Sequence, residues 1–210
     1  MPDRFIPLAE GSGLIMDIGT WAIKTACRQM KTWQSNGLEL EVVAVNVSEL
    51  QFQRGDIVET VQSALADSGL APECLELEIT ESIILNRTDQ AINTLRKLKE
   101  LGVMISIDDF GTGYSSLSQL KHLLVDKLKI DQSFVRDIAN DVDDEAITCA
   151  VIALAKSLGL KVIAEGVETE DQRNFLVMQG CDEGQGYLYS RAVSAERLEK
   201  QLRAGDFMCA

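Results

Sequence analysis

Short runs of β-branched and aliphatic residues alternate along this chain with longer stretches of helical periodicity, and this alternation restricts it to an α/β fold. Residues 42–45 and 103–105 are unbroken apolar runs, as expected of parallel strands that are covered on both faces. Between such runs, apolar residues recur at helical spacing, as in 91–101 and 147–158, which predicts amphipathic helices. We predict strands at residues 41–47, 75–80, 103–108, 125–130, 160–165 and 182–188.

Glycines and one capping motif mark the ends of the predicted helices. Thr169 and Gln172 have the spacing of a capping box at the start of a late helix. A long helix over about residues 14–36 has no strand before it. Glycines that can adopt the left-handed conformation of a helix C-cap stand just before strands, at Gly37, Gly69, Gly102, Gly159 and Gly180.

The sequence has no linker, low-complexity segment or change in composition, which predicts one domain over residues 1–210. About six βα units follow the long helix, whereas an eight-stranded βα barrel typically has about 250 residues. The pattern therefore fits either a barrel that lacks its first strands or an open doubly wound sheet.

The charge balance excludes several classes of partner. The chain has 20 Lys and Arg residues and 33 Asp and Glu residues, and its net charge is -13. This charge argues against binding to DNA and against electrostatic binding to anionic lipid. The longest mostly apolar run, residues 146–155, is too short to cross a bilayer, and the amino terminus does not resemble a signal peptide. We expect a cytoplasmic location and no membrane contact by this fragment, although its parent could be anchored in a membrane. An anionic substrate would need local positive charge at its binding site, such as a metal ion.

Cysteine and histidine usage narrows the choice of metal. The five cysteines are scattered and include no Cys-x-x-Cys pair, which favours a reducing compartment over a disulfide framework or a zinc site. His122 is the single histidine of the chain, and we interpret it as structural. A bound metal would therefore be a hard cation held by carboxylate and amide oxygens.

Polar residues stand at the carboxyl ends of the predicted strands. Each one alone is typical of a turn or a helix cap, but capping does not require an acid or amide at the same end of five successive strands. In a βα barrel these ends meet on the face that carries the chemistry. The residues are Asn46, Glu78, Asp108, Asp109, Lys129, Asp131, Glu165, Glu168 and Gln185.

Four of these residues offer the oxygen ligands that Mg²⁺ or Mn²⁺ requires, and adjacent aspartates can bridge two cations. A two-metal hydrolytic site is the natural hypothesis, in which the Lys129 ammonium could either position a metal-bound water or neutralise phosphate. The candidate ligands are Asn46, Glu78, Asp108 and Asp109.

The glycine-rich stretch 109–117 follows the paired aspartates directly. Its Asp-Phe-Gly resembles a kinase signature, but the chain has no His-Arg-Asp loop, and its Gly-x-Gly lacks the third glycine of a dinucleotide fingerprint. We expect a mobile cover of the site or a backbone cradle for phosphate.

Six motifs in order resemble those of bacterial EAL domains, and the resemblance spans essentially the whole chain. They are Asn46-Val47-Ser48, Glu78-Ile79-Thr80-Glu81, the stretch Ile107 to Leu117, Lys129 to Val135, Ala164 to Glu168, and Gln185-Gly186-Tyr187. The resemblance implies a modified TIM (β/α)8 barrel, here missing its first strands, that hydrolyses cyclic di-GMP to linear pGpG with Mg²⁺ or Mn²⁺.

The resemblance also implies a role for each matching residue. Asn46, Glu78 and Asp108 would bind one metal, and Asp108 would bridge to a second metal with Asp109. Lys129 would hold the attacking water, with Glu165 as general base or second-metal partner. Glu81 would brace the glycine-rich stretch, Asp131 and Gln185 would take part in cofactor binding, and Glu168 would complete the catalytic set together with Gln185.

Two positions depart from the family pattern. The Glu-Ala-Leu motif that names the family is absent and would be expected just upstream of Pro2, so we expect an amino-terminally incomplete EAL domain whose parent carries a sensory or GGDEF-type domain. We expect such a fragment to bind metal and nucleotide much more weakly than the longer parent, and it can be inactive even where the parent is active. Its unpaired strand edges favour a homodimer or a domain-swapped oligomer. Ala192 replaces a usual proline in a turn, a change that we expect to be tolerated.

Two rival functions remain open on the sequence. A catalytically silent cyclic di-GMP receptor would use the same barrel, although silent members generally lose acids in these motifs and every motif visible here is intact. A Mg²⁺-dependent barrel lyase would also use strand-end acids and a lysine base, but it explains neither the glycine-rich stretch nor the order of the motifs.

Overall fold

The computed structural model describes residues 2–54, 57–85, 89–111, 124–138 and 142–205. The chain packs as two compact units, Met1–Ile105 and Ser106–Ala210. Each unit contains strands paired in parallel with helices between them, as the predicted βα alternation requires. That the chain is one domain stays a prediction.

The first unit is built around a parallel pair of strands. β1 and β2 pair from Val43 opposite Leu75 to Val47 opposite Ile79. β2 is buried along nearly its whole length, as expected from its apolar sequence. The elements are helices α1 (Pro2–Ser12) and α2 (Ile15–Ser35), strand β1 (Val43–Val47), helices α3 (Glu49–Arg54) and α4 (Ile57–Ser68), a 3₁₀ turn (Pro72–Cys74), strand β2 (Leu75–Thr80), and helices α5 (Glu81–Leu85) and α6 (Asp89–Leu101).

The long helix α2 supplies much of the core of this unit. Its buried stripe includes Ile23, Cys27 and Met30, which recur at helical spacing and are almost completely inaccessible. The helix packs against α4 and β1. Burial of this stripe, rather than helix propensity alone, stabilises α2.

The second unit contains a run of parallel strands in chain order. β3 pairs with β4, β4 with β5, and β5 with β6. The four β4 residues are all buried, and its two lysines are among them. The elements are strands β3 (Met104–Phe110) and β4 (Lys127–Ile130), helices α7 (Gln132–Arg136) and α8 (Val142–Ser157), strand β5 (Lys161–Ala164), helix α9 (Glu170–Gln179), strand β6 (Glu183–Gly184) and helix α10 (Ala195–Ala204).

Apart from the end of the last strand, the predicted strand ends lie within two residues of the observed ones. β2 has the predicted bounds, α2 lies within one residue of its predicted ends, and the five predicted cap glycines all have positive φ. The Thr169 and Gln172 capping box is present, with Thr169 Oγ1 accepting a hydrogen bond from Gln172 N.

The last predicted strand was too long. Residues 182–188 were expected to be extended, but β6 contains only Glu183 and Gly184. The chain turns at Gly186, where the amides of Tyr189 and Ser190 bond its carbonyl. Gly186 approaches the Val167 backbone so closely that a Cβ would lie 2.1 Å from the Val167 carbonyl oxygen. The strand therefore ends before this turn, and Gly184 and Gly186 themselves favour strands poorly.

The described residues contain no helix long and apolar enough to span a membrane. Cys27, Cys74, Cys149 and Cys181 form no disulfide. Burial raises the pKa of the Cys27 and Cys181 thiols to about 11, so both remain protonated at neutral pH.

Candidate functional site

Three charged side chains meet near the carboxyl ends of β3, β4 and β5. Lys129 Nζ lies 2.9 Å from Asp108 Oδ1 and 2.6 Å from Glu165 Oε1. The Lys129 side chain is only 2% exposed, and the two carboxylates are 14% and 17% exposed. A buried ammonium is tolerated only when it is paired, so the two carboxylates fix Lys129 between them.

A distortion of β3 brings Asp109 to the same place. Adjacent residues of a regular strand point to opposite faces. The pairing of β3 with β4 shifts between Ile107 and Phe110, and Asp109 has a φ of 55°, a left-handed conformation that aspartate tolerates better than most residues. As a result, carboxylate oxygens of Asp108, Asp109 and Glu165 lie within 4.8 Å of one another.

Asp131 extends this acidic cluster. It directly follows β4 and caps α7, because its Oδ1 accepts hydrogen bonds from the Ser133 amide, at 2.9 Å, and from the Ser133 hydroxyl. Its side chain also shares a hydrogen bond with Asp109. This bond joins the end of β4 to the distorted end of β3.

The two hydrogen-bonded aspartates differ in acidity. Burial raises the pKa of Asp109, and the negative charges of Asp108 and Asp131 raise it further. Burial also acts to raise the pKa of Asp131, but the hydrogen bonds from Ser133, together with those from Asp109 and the Gln132 backbone, outweigh it, and that pKa is lower than usual. The pKa values of these two carboxyl groups are therefore shifted in opposite directions.

The donor set of this cluster fits a divalent cation. Asp108, Asp109 and Glu165 each offer a carboxylate oxygen, the ligand that Mg²⁺ and Mn²⁺ prefer. Among the residues that the structure describes, one ammonium, that of Lys129, faces these three carboxylates, so negative charge is in excess there. A cation bound here would offset that excess.

The first unit presents a second group of predicted residues. Asn46 of β1 lies directly opposite Glu78 of β2, and residues opposite one another in a parallel pair project from the same face. Glu78 is 7% exposed, and Glu81, the first residue of α5, is 5% exposed. Burying a carboxylate is costly unless it has a partner, which favours a role in a site over a solvated surface role.

Glu168 and Gln185 lie at the surface of the second unit. Within the described part of the chain, the Glu168 carboxylate makes no hydrogen bond or ion pair. Gln185 is held through its backbone, with N bonded to Ala164 O and O bonded to Val167 N. Its side chain lines an open cleft of about 500 Å³ together with Glu183 and Tyr189. Their assignment to the site stays a prediction.

The predictions for the glycine-rich stretch and for His122 fall on residues 112–123, outside the described residues. Of the glycine-rich stretch, only the first three residues, 109–111, are described. Gly111 has a φ of 102°, and a Cβ there would lie 3.0 Å from the Phe134 ring. Both the backbone conformation and the close ring therefore favour glycine at this position.

The sequence placed Lys127 on the same strand face as Lys129 but gave no role to this second buried lysine. Lys127 Nζ lies 2.8 Å from Glu183 Oε2, and the Lys127 side chain is 7% exposed. The same Glu183 carboxylate lies 3.8 Å from Lys161. The spacing of Lys127 and Lys129 on one strand face was visible in the sequence, but their separate acidic partners were not.

Gly166, beside Glu165, offers a test of how tightly the site is packed. Its φ is +69°, and a Cβ would lie 2.6 Å from Gln132 Cβ. We expect Gly166→Ala to lower the free energy of unfolding by about 3 kcal/mol, the sum of left-handed strain and overpacking. Gly159 has a similar φ of +73° with nothing within 4 Å, so Gly159→Ala should cost only about 1 kcal/mol. Equal losses of stability in urea unfolding would contradict the close contact.

Comparison with known proteins places this chain in a family. The family model for the EAL domain matches residues 1–192. The chain therefore belongs to the EAL domain family, as its six motifs predict.

Relatives from Pseudomonas aeruginosa carry the same similarity. The bifunctional diguanylate cyclase/cyclic di-GMP phosphodiesterase MucR is 48% identical over 197 residues, which are 94% of this chain and 29% of MucR. The cyclic di-GMP phosphodiesterase NbdA is 47% identical over 206 residues, 98% of this chain and 26% of NbdA. The chain thus spans less than a third of these relatives.

A solved structure agrees with the fold. The PaMucR phosphodiesterase, solved as a c-di-GMP complex, matches with a TM-score of 0.91 at 48% identity, covering 94% of this chain and 80% of that one. The predicted α/β class and the predicted partial TIM barrel are confirmed. The barrel, and not the open doubly wound sheet, is the correct alternative.

Proposed function

We propose that this chain hydrolyses cyclic di-GMP to pGpG in bacterial second-messenger signalling, at a site that holds two Mg²⁺ or Mn²⁺ ions. The observation that carries the proposal is the buried Lys129 ammonium between Asp108 and Glu165, with Asp109 within reach of both acids. MucR and NbdA, which are named as cyclic di-GMP phosphodiesterases, support the choice of substrate.

The metal ligands come from the acids and the amide at the strand ends. Asn46, Glu78 and Asp108 would hold one ion, and Asp108 with Asp109 would hold the other, close to Glu165. When bound, such ions offset the charge of the phosphate and activate water at neutral pH. Because the chain has a net charge of -13, its own residues alone would repel a substrate with two phosphates.

Lys129 and Glu165 carry out the proton and water handling in this proposal. The Lys129 ammonium is fixed by its two carboxylate partners and holds the attacking water. As the water oxygen bonds to phosphorus, the P–O3′ bond breaks, Glu165 accepts one proton of the water, and the departing 3′ oxygen takes up a proton from solvent water. The product is a linear dinucleotide with a 5′ phosphate.

The remaining predicted residues have supporting roles. We assign Glu81 to brace the glycine-rich stretch that follows Asp109, and Asp131 and Gln185 to cofactor binding. Glu168 completes the catalytic set from the loop after β5. Assembly as a homodimer or swapped oligomer, linkage to a sensory or GGDEF-type domain, and a cytoplasmic location are further parts of the proposal.

One assay separates the proposed enzyme from a silent receptor. The 210-residue chain is incubated with cyclic di-GMP and Mn²⁺, and the products are separated by ion-exchange chromatography. We expect pGpG to accumulate in proportion to enzyme concentration. Saturable binding of cyclic di-GMP without pGpG would favour the receptor, and the absence of both would contradict the proposal.

A further inference from the structure

One buried side chain joins the loop that follows Glu165 to the end of α7, the helix that Asp131 caps at its start. Gln172, in the first turn of α9, is 5% exposed. Its Oε1 accepts hydrogen bonds from the amides of Glu168, at 2.7 Å, and Thr169, at 2.9 Å. Its Nε2 donates to the carbonyl oxygen of Arg136, at a distance of 3.0 Å. Arg136 is the last residue of α7.

The same loop touches α7 at its other end. Gly166 packs so closely on Gln132, the first residue of α7, that a Cβ would lie 3.3 Å from Gln132 Cα. In addition, Glu165 N donates to Ile130 O, directly before Asp131. The loop that follows β5 is thus held against both ends of this short helix, and the helix begins at the Asp131 cap.

We propose that Gln172 is a positioning residue for the candidate metal site. By holding the 165–169 loop on α7, it sets the separation between Glu165 and the hydrogen-bonded pair Asp131 and Asp109. The inference deepens the proposed function, because the carboxylates that it positions are those assigned to metal binding and proton transfer. Carboxylate ligands displaced by fractions of an ångström bind a hard cation more weakly.

The capping role and the positioning role of Gln172 use different atoms of its side chain, so substitutions can separate them. Oε1 caps the start of α9, whereas Nε2 links to α7. Glutamate at this position of a capping box accepts the same amide hydrogen bonds and suits the helix N-terminus. It cannot, when ionised, donate to Arg136 O. Gln172→Glu therefore removes the link and retains the cap.

Thr169→Ala is the matched control, because it removes the Thr169 Oγ1 bond to Gln172 N and leaves all three bonds of the Gln172 side chain. At pH 8, Mn²⁺ affinity is measured by calorimetry, cyclic di-GMP turnover by chromatography, and Tm by circular dichroism. We expect Gln172→Glu to weaken Mn²⁺ binding about tenfold and to lower kcat. A tenfold loss of affinity is at the low end of the range for residues that position metal ligands. Thr169→Ala should lower Tm and leave Mn²⁺ affinity unchanged.

A third variant guards against loss of folding in Gln172→Glu. Gln172→Met lacks both the cap and the link, so we expect it to show a lower Tm than the parent and weak Mn²⁺ binding together. Mn²⁺ affinities that follow Tm across all three variants would overturn the positioning role, as would a parent chain that binds no Mn²⁺. If the parent binds Mn²⁺ but releases no pGpG, and Gln172→Glu still weakens Mn²⁺ binding, the proposed reaction is wrong and the positioning role stands.

Discussion

Replacing Lys129 with methionine is expected to lower kcat for cyclic di-GMP hydrolysis by about 10³-fold, within the range for loss of a proton-handling or charge-stabilising group. The substitution keeps most of the buried volume and removes the ammonium that lies 2.9 Å from Asp108 and 2.6 Å from Glu165. Without it, the attacking water loses the group assigned to hold it. Turnover at saturating Mn²⁺ and substrate measures the effect.

The same variant should also be less stable in the absence of metal. Removing one partner of a buried ion pair leaves the other charges uncompensated, which costs about 3–5 kcal/mol. Urea unfolding at neutral pH in EDTA measures this loss. Because a divalent cation offsets the same carboxylate charge, saturating Mn²⁺ should restore part of the stability but not the activity.

Lys127→Met is the matched control for this prediction. It also removes a buried lysine of β4, whose partner Glu183 lies 2.8 Å away and belongs to no proposed catalytic group. We expect it to be less stable than the parent, with kcat within about threefold. Equal losses of kcat in the two variants would show that Lys129 acts only through stability.

Chelation of divalent cations is expected to abolish pGpG formation, and excess Mn²⁺ should restore it. The reason is electrostatic: the chain has a net charge of -13, and at the site three carboxylates face the Lys129 ammonium. Full turnover in excess EDTA would contradict the assignment of the cluster to metal binding.

Asp108→Asn tests which carboxylate of the cluster contributes most to Mn²⁺ binding. Asp108 is the proposed bridging ligand, so loss of its charge should weaken Mn²⁺ binding about 100-fold, whereas Asp131→Asn should weaken it about tenfold or less. Both changes are isosteric, and Asp131 differs in that its oxygen already accepts two hydrogen bonds from Ser133. Calorimetric titration of both variants with Mn²⁺ compares them, and a larger loss in Asp131→Asn would reverse the assignment.

The elements and the residues of the candidate site could be predicted from the sequence wherever the signal is local. The bounds of β2, the glycine caps and the Thr169 and Gln172 capping box depend on neighbouring residues and were confirmed. The strand-end acids could be identified for the same reason. Their order along the chain also carried the family resemblance that the match over residues 1–192 confirms.

Other features depend on contacts between distant segments, which local patterns do not contain. β6 ends at Gly184, and the turn that follows places Gly186 directly against the Val167 backbone. The ion pair of Lys127 with Glu183 and the bond from Gln172 to Arg136 O join separate elements. Residue spacing within any one element could not predict which partners these groups would meet.

The sequence by itself determined the α/β class, the family and the set of acids and amides that a metal site could use. Only the tertiary structure decided that Asp108 and Asp109, although adjacent on a strand, both reach Glu165. A regular strand would send them to opposite faces, and the register shift of β3 with a φ of 55° at Asp109 prevents this. That shift is set by how β3 hydrogen-bonds to β4, an interaction between strands that no single segment encodes.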